Sequence, residues 1–141
     1  ARTGEKALIG LDTNVLIRYL VQDDAKQTPL ATRFIEAVLS PTHPGYISHV
    51  VLCEMVWVLE DCYGQSSPQV AALLEQLYRA KEIVVQEPAL AWQALRLMQI
   101  HGADFSDALI MSVGQAAGCQ HTVTFDKQAA KLESFELLRE A

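Results

Sequence analysis

The stretch that decides the fold is LIGLDTNVLIRYL, residues 8–20. Leu8, Ile9 and Leu11 form a short apolar run, which favours a strand covered on both faces of a parallel sheet. Asp12 follows at once, and the apolar residues after it recur at helical spacing. In open α/β sheets, functional groups gather just beyond the carboxyl ends of the strands. Asp12 is therefore predicted to lie at a functional edge, and acids from distant parts of the chain are expected to converge on it.

The rest of the chain alternates short apolar runs with longer helical patterns. Further strands are predicted at residues 46–47, 83–85, 121–124 and 135–137, and helices at 29–39, 49–62, 66–80, 88–101, 105–117 and 127–132. Helices between parallel strands predict an α/β fold, a three-layer α/β/α domain with a mainly parallel sheet of five strands. The prediction is a single domain over residues 1–141, with residues 1–6 expected to be a flexible or processing remnant.

Composition narrows the classes of function. The chain has 141 residues, is 50% hydrophobic and carries a formal net charge of −6. No apolar run approaches the roughly 20 residues that span a bilayer, so the default expectation is a cytoplasmic protein. A protein that holds nucleic acid by phosphate neutralisation alone is basic, so an acidic chain would need local cations or metal ions for that task. The 3 cysteines are widely spaced, which argues against a disulfide scaffold and a structural zinc site.

Two acids directly follow predicted strands. Asp12 precedes the first helical pattern, and Asp126 follows HTVT and precedes KQAAKL. Helix capping explains either residue, because an Asp at the N-cap stabilises a helix by about 1 kcal/mol. A carboxylate has enough lone pairs to cap a helix and bind a cation at the same time. Both interpretations therefore stay open.

Three further acids invite a chemical explanation. Glu54 is the only charged residue in VVLCEMVWVL, and a buried carboxylate without a partner is very costly. It is expected to face a polar cavity that holds a cation, unless it snorkels or pairs with an arginine. Asp104 and Asp107 stand three residues apart in GADFSDALI, a spacing at which like charges repel. Either Asp104 caps a helix with Asp107 in its first turn, or the two share a cation.

Acids at the ends of different parallel strands would meet at one edge of the sheet. Hard cations such as Mg²⁺ take oxygen ligands and keep waters that substrate phosphates can replace. A metal-bound water is a better nucleophile, and two metals about 3.5–4 Å apart stabilise both the attacking and the leaving oxygen of a phosphodiester. The chain has no GxSxG, P-loop or GxGxxG motif that would indicate another chemistry. The acids therefore favour a metal site, and phosphodiester hydrolysis is one chemistry that such a site can carry out.

Four segments together resemble a PIN domain, and more narrowly the toxin of VapBC-type toxin–antitoxin pairs. They are LDTNVLIRYL, the helix from Ser48 through Glu54, DFSDALI and TFD. The resemblance covers Ala7 to about Leu138. It implies a Rossmann-like sheet of order 3-2-1-4-5 and a Mg²⁺- or Mn²⁺-dependent endoribonuclease. It also implies a homodimer and a cognate antitoxin whose C-terminal segment covers the site.

The resemblance also implies roles for particular residues. The family's catalytic and metal-binding acids fall on Asp12, Glu54, Asp107 and Asp126, and Asp104 matches a further metal-binding acid. Asp12 would be the central ligand. The matching supporting polar positions are Asn14 and Thr124, and the basic residues proposed for phosphate contacts are Arg18, Lys26, Arg33 and Lys127. Surface charge is the alternative explanation for each of these cations.

Other functions stay open beside a toxin ribonuclease. One is a phosphatase with Asp12 as its nucleophile, although that chemistry favours an acid at position 14, where this chain has Asn14. Another is a PIN nuclease of RNA processing outside any toxin–antitoxin pair. The third is a non-catalytic module that binds RNA or protein. A buried Glu54 opposite Asp12 would count against the last, because a binding module needs no such acid.

Overall fold

The computed structural model describes residues 7–140, so the expectation for residues 1–6 lies outside the described residues. The chain divides into two compact units, with the boundary after Pro88. The assignment of residues 1–141 to a single domain stays a prediction.

The first unit is built on a three-stranded parallel sheet. Its strands are β1 (Ile9–Gly10), β2 (Gly45–Ile47) and β3 (Ile83–Val85), in the order β1-β2-β3. Ile9 is in register with Gly45, and Gly45 with Ile83. The helices are α1 (Thr13–Val21), α2 (Gln27–Arg33), α3 (His49–Asp61) and α4 (Ser67–Arg79), and α2 continues as a π-helical segment, Phe34–Val38. Parallel strands therefore alternate with helices, as the sequence pattern predicts.

The second unit has a two-stranded parallel sheet and two helices. Helix α5 (Pro88–His101) begins at the unit boundary and is followed by α6 (Phe105–Ala116), β4 (Thr122–Thr124), a 3₁₀ turn (Ala129–Lys131) and β5 (Phe135–Leu137). Thr122 is in register with Phe135 and Thr124 with Leu137. A small core of buried side chains holds this unit together: Met111, Ala129, Leu132 and Phe135.

The predicted fold class is confirmed. Residues 7–140 form an α/β structure with six α-helices and parallel strands, consistent with a three-layer α/β/α fold. The neighbours 3-2-1 and 4-5 of the predicted order are both present. The described strands pair as one sheet of three and one of two, so the joining of all five in one sheet stays a prediction.

Side-chain caps define where the helices begin. Ser48 accepts a hydrogen bond from the Val51 amide at the start of α3. Ser66 and Gln69 form a reciprocal capping box at the start of α4. Such caps satisfy amides that have no partner within the helix. The positive φ of Gly64, +63°, lets the chain leave α3.

Three details of the sequence prediction are wrong. Leu8 and Ile9 are exposed, because β1 is only two residues long and, of this apolar run, only Leu11 is buried. Helical spacing within the predicted helix 29–39 places Val38 on one face with Ala31 and Ile35, but Val38 is exposed whereas the other two are buried. The helix predicted at 127–132 is a 3₁₀ turn of three residues, because the chain must return to β5 within a few residues and a short helix nucleates poorly.

Candidate active site

Asp12 is the N-cap of α1. Its side-chain Oδ1 accepts a hydrogen bond from the Thr13 amide at 2.8 Å, and its backbone is extended, with φ −81° and ψ 156°. The side chain is exposed to solvent. Capping therefore uses one carboxylate oxygen while the group as a whole stays accessible to a cation.

Glu54 lies on α3 and is exposed, so the prediction of a buried acid is wrong. Its Oε1 accepts a hydrogen bond from the Thr13 hydroxyl at 2.8 Å. Thr13 itself is buried, 5% exposed. The partner of Glu54 is thus the side chain next to Asp12, rather than the arginine or closed polar cavity considered from the sequence.

The exposure of Glu54 follows from the periodicity of α3. The buried residues of this helix recur at i, i+3, i+4 and i+7: Leu52, Met55, Val56 and Leu59. Glu54 falls on the opposite face, together with Val50 and Trp57, which are also exposed. Apolar residues on both faces mask the periodicity in the sequence. Glu54 is therefore not the buried acid that would have counted against a non-catalytic module.

Asp104 and Asp107 meet at the start of α6. Asp104 is its N-cap, and its Oδ2 accepts a hydrogen bond from the Asp107 amide at 3.0 Å. Asp107 lies in the first turn, where the positive end of the helix dipole favours an anion. Asp104 is exposed and Asp107 is half-buried. The capping explanation of the pair is confirmed in this geometry.

The carboxyl of Asp107 is nevertheless in an unfavourable environment for its charge. Burial raises the pKa of Asp107, and the neighbouring carboxylates of Asp104 and Asp126 raise it further. Three acids of the second unit are therefore coupled electrostatically. A cation bound near Asp107 would remove the repulsion that raises this pKa.

Asp126 lies in a turn with fixed backbone geometry. The Asp126 amide donates to the Thr124 hydroxyl at 3.0 Å, and its Oδ1 accepts from the Gln128 amide at 2.8 Å. The side chain of Asp126 is exposed. As predicted from the sequence, this acid follows a strand and caps the turn after it. Thr124 supports Asp126 through its hydroxyl.

The basic residues proposed for phosphate contacts differ in their hydrogen bonds, ion pairs and exposure. Arg18 donates from Nε to Gln27 at 2.7 Å and from a guanidinium N–H to the Tyr63 hydroxyl at 3.2 Å, and it forms an ion pair with Asp23 at 3.6 Å. The guanidinium therefore joins α1 to the start of α2 and to the residues after α3. The other cations are exposed: Lys26, Arg33 and Lys127. Asn14 is exposed as well and lines a cavity of about 620 Å³ with Arg18.

The predicted metal ligands divide between the units. Asp12 and Glu54 belong to the first unit, and Asp104, Asp107 and Asp126 to the second. Among residues 7–140, no group of three or more acidic, histidine or cysteine side chains is close enough to hold a metal ion. The donors are nevertheless all carboxylate oxygens, the ligand type of Mg²⁺ and Mn²⁺, and Asp107 is destabilised as an anion. Donor chemistry and charge thus fit a hard divalent cation.

Sequence reasoning missed three polar or aromatic groups near these acids. A cavity of about 510 Å³ is lined by Asp104, Asp107, Gln93 and Gln115, and Gln93 donates to Gln115 at 3.2 Å. Phe125, directly before Asp126, is 80% exposed. The signal that could have indicated Phe125 is its position in TFDK, an aromatic residue beside an acid at a strand end.

These features define the class of protein: an α/β fold whose acids cap the helices and turns that follow its parallel strands. The PIN domain model matches residues 9–134, and the chain belongs to the PIN domain family. PIN domains are generally metal-dependent nucleases. No curated protein matches the chain. None of the helices in residues 7–140 is long and apolar enough to cross a membrane.

Proposed function

We propose that the chain is a metal-dependent endoribonuclease that hydrolyses RNA phosphodiester bonds through the carboxylates of Asp12, Glu54, Asp107 and Asp126. The observation that carries the proposal is the environment of Asp107, whose pKa is raised by burial and by the charges of Asp104 and Asp126. Acids whose pKa is shifted by burial together with neighbouring charges gather at functional sites. Membership of a family of nucleases supports the same conclusion.

The proposed metal is Mg²⁺ or Mn²⁺, held by five acids: Asp12, Glu54, Asp104, Asp107 and Asp126. When bound, such a metal activates a water and stabilises negative charge on a phosphate. The chain's own residues position the ligands. Thr13 holds the Glu54 carboxylate through its hydroxyl, and Thr124 holds the turn that carries Asp126.

The biological setting is part of the same proposal. The chain would act in the cytoplasm as the toxin of a toxin–antitoxin pair, as a homodimer whose site a cognate antitoxin covers. The resemblance of LDTNVLIRYL and DFSDALI to VapBC-type toxins supports this. A small neighbouring gene for a DNA-binding antitoxin is expected. Its absence would favour a PIN nuclease of RNA processing.

The decisive experiment for the activity is cleavage of a single-stranded RNA by the purified chain. We expect cleavage with Mg²⁺ or Mn²⁺, loss of cleavage in EDTA, and recovery when metal is restored. Asp107→Asn should remove the activity in parallel and so exclude a contaminating nuclease. Absence of cleavage with both metals, or cleavage that EDTA does not affect, would overturn the proposal and favour a non-catalytic module.

A further inference from the structure

Phe125 is the most exposed large apolar side chain in the described part of the chain. It is 80% exposed, whereas Phe105 and Phe135 of the same unit are buried. Exposed apolar surface is unfavourable in water, and a ring that gives no packing to its own fold is available to a ligand.

The backbone around Phe125 is held on both sides. The Thr124 carbonyl accepts a hydrogen bond from the Leu138 amide at 2.7 Å, and the Thr124 hydroxyl accepts one from the Asp126 amide at 3.0 Å. The Asp126 carbonyl in turn accepts from the Ala130 amide at 3.0 Å. The ring is therefore presented from a fixed backbone, which lowers the entropy lost when a ligand binds.

The neighbours of Phe125 carry charge of both signs. Asp126 follows directly and is electrostatically coupled to Asp107, and Lys127 is exposed one residue further. Proteins that bind single-stranded nucleic acid combine an aromatic ring, on which a base stacks, with a cation that meets the backbone phosphate. Phe125 and Lys127 offer these two groups at positions two apart in the chain. RNA bases are accessible to such rings only where the strand is unpaired.

We propose that Phe125 is a stacking platform for one nucleobase of a single-stranded RNA, with Lys127 at the adjoining phosphate. This inference rests on the proposed function, because it takes RNA as the ligand. A protein partner is the competing occupant, since Val123 on the same strand is also exposed. The exposed Lys127 and the position of Phe125 directly before Asp126, one of the proposed metal ligands, favour RNA, because an RNA strand held at the metal lies next to this ring.

The test compares variants that distinguish the effect of the aromatic ring from the effect of an apolar side chain. Phe125→Leu keeps an apolar side chain without a ring, Phe125→Trp keeps a ring, and Val123→Ala is the matched control on the same strand. The probe is a short fluorescein-labelled single-stranded RNA, and its dissociation constant is measured by fluorescence anisotropy in EDTA and in Mg²⁺. Since Phe125 is exposed, melting curves should show that all variants fold.

We expect Phe125→Leu to weaken RNA binding by about 10-fold, within the range of stacking on one aromatic side chain. Phe125→Trp keeps an aromatic ring and should bind RNA with the wild-type affinity. Val123→Ala should bind with the wild-type affinity as well. Equal affinity of wild type and Phe125→Leu, no RNA binding by the wild type, or a change in oligomeric state in Phe125→Leu with unchanged RNA affinity would each overturn the inference. Ring-dependent binding without cleavage would overturn the proposed nuclease and leave the platform intact.

Discussion

The hydroxyl of Thr13 donates a hydrogen bond of 2.8 Å to the carboxylate of Glu54, 41 positions away in the chain. The same Thr13 gives its backbone amide to the carboxylate of Asp12. One residue at the start of α1 is therefore bonded to two acids through two different donors. This relationship links the cap of α1 to α3 and explains how an exposed glutamate keeps a defined position.

Thr13→Val tests that link at nearly constant shape. The variant loses the hydroxyl, so we expect a lower free energy of unfolding by about 1 kcal/mol. The Glu54 carboxylate remains exposed and is rehydrated, which limits the loss. RNA cleavage should fall but persist, because Glu54 keeps its charge and loses only its positioning. Urea unfolding and cleavage rates measure the two effects, with Thr32→Val on α2 as the control. Unchanged cleavage would show that the position of Glu54 is irrelevant to activity.

Asp107→Asn should stabilise the metal-free protein. Burial and the charges of Asp104 and Asp126 raise the pKa of Asp107 above its ordinary 3.8. Between that value and the raised pKa, the folded state binds more protons than the unfolded state, so the contribution to stability falls as the pH rises. The Asn side chain is neutral, so Asp107→Asn avoids this loss of stability. In EDTA at neutral pH we expect a melting temperature higher by on the order of 2 °C.

The same substitution should have no stabilising effect at a pH well below the ordinary pKa of 3.8, where the carboxyl is protonated in both states. Glu140→Gln, at an exposed position near the end of the described chain, is the matched control and should shift nothing at either pH. A destabilised Asp107→Asn at neutral pH in EDTA would mean that the favourable interaction of the Asp107 carboxylate with the helix dipole outweighs its burial and repulsion.

Metal binding should raise the melting temperature of the wild type. A ligand that binds only the folded state at a hundredfold excess over its dissociation constant adds about 2.7 kcal/mol of stability. We expect this rise with millimolar Mg²⁺ or Mn²⁺ in thermal melts, and a smaller one in Asp107→Asn. If millimolar metal leaves the wild-type melt unchanged, the carboxylates do not form a cation site in the free protein.

Ser66→Ala separates stability from activity. Ser66 caps α4 together with Gln69, so the variant should lose about 1 kcal/mol of unfolding free energy. Since α4 carries none of the proposed acids, cleavage at a temperature well below the melt should equal that of the wild type. A matching loss of cleavage would mean that activity follows overall stability, which would weaken every substitution argument made from the acids.

Much of the fold can be read from local chemistry. Ser48, Ser66 and Gly64 mark helix ends through hydrogen bonds and a backbone conformation that only neighbouring residues determine. Exposure is harder to predict, because it depends on which face of an element is covered. Glu54 was expected to be buried, since the apolar residues around it hide the face that α3 presents to solvent.

The candidate site was predictable only where neighbouring residues in the chain determine its geometry. The capping geometries of Asp12, Asp104 and Asp126 follow from their positions at strand ends and helix starts. The bond from Thr13 to Glu54 and the exposure of Phe125 depend on packing between distant segments, on which single-residue patterns carry no information.

Asp12→Asn is the most direct test of the central claim that these carboxylates carry out metal-dependent RNA cleavage. Asn is as good an N-cap as Asp, so the variant removes the charge while keeping the shape and the cap of α1. We predict an unchanged melting temperature in EDTA and a loss of cleavage of at least about 100-fold with Mg²⁺ or Mn²⁺, a loss at least as large as that for residues that merely support a metal ligand. Cleavage by Asp12→Asn at the wild-type rate would contradict the account.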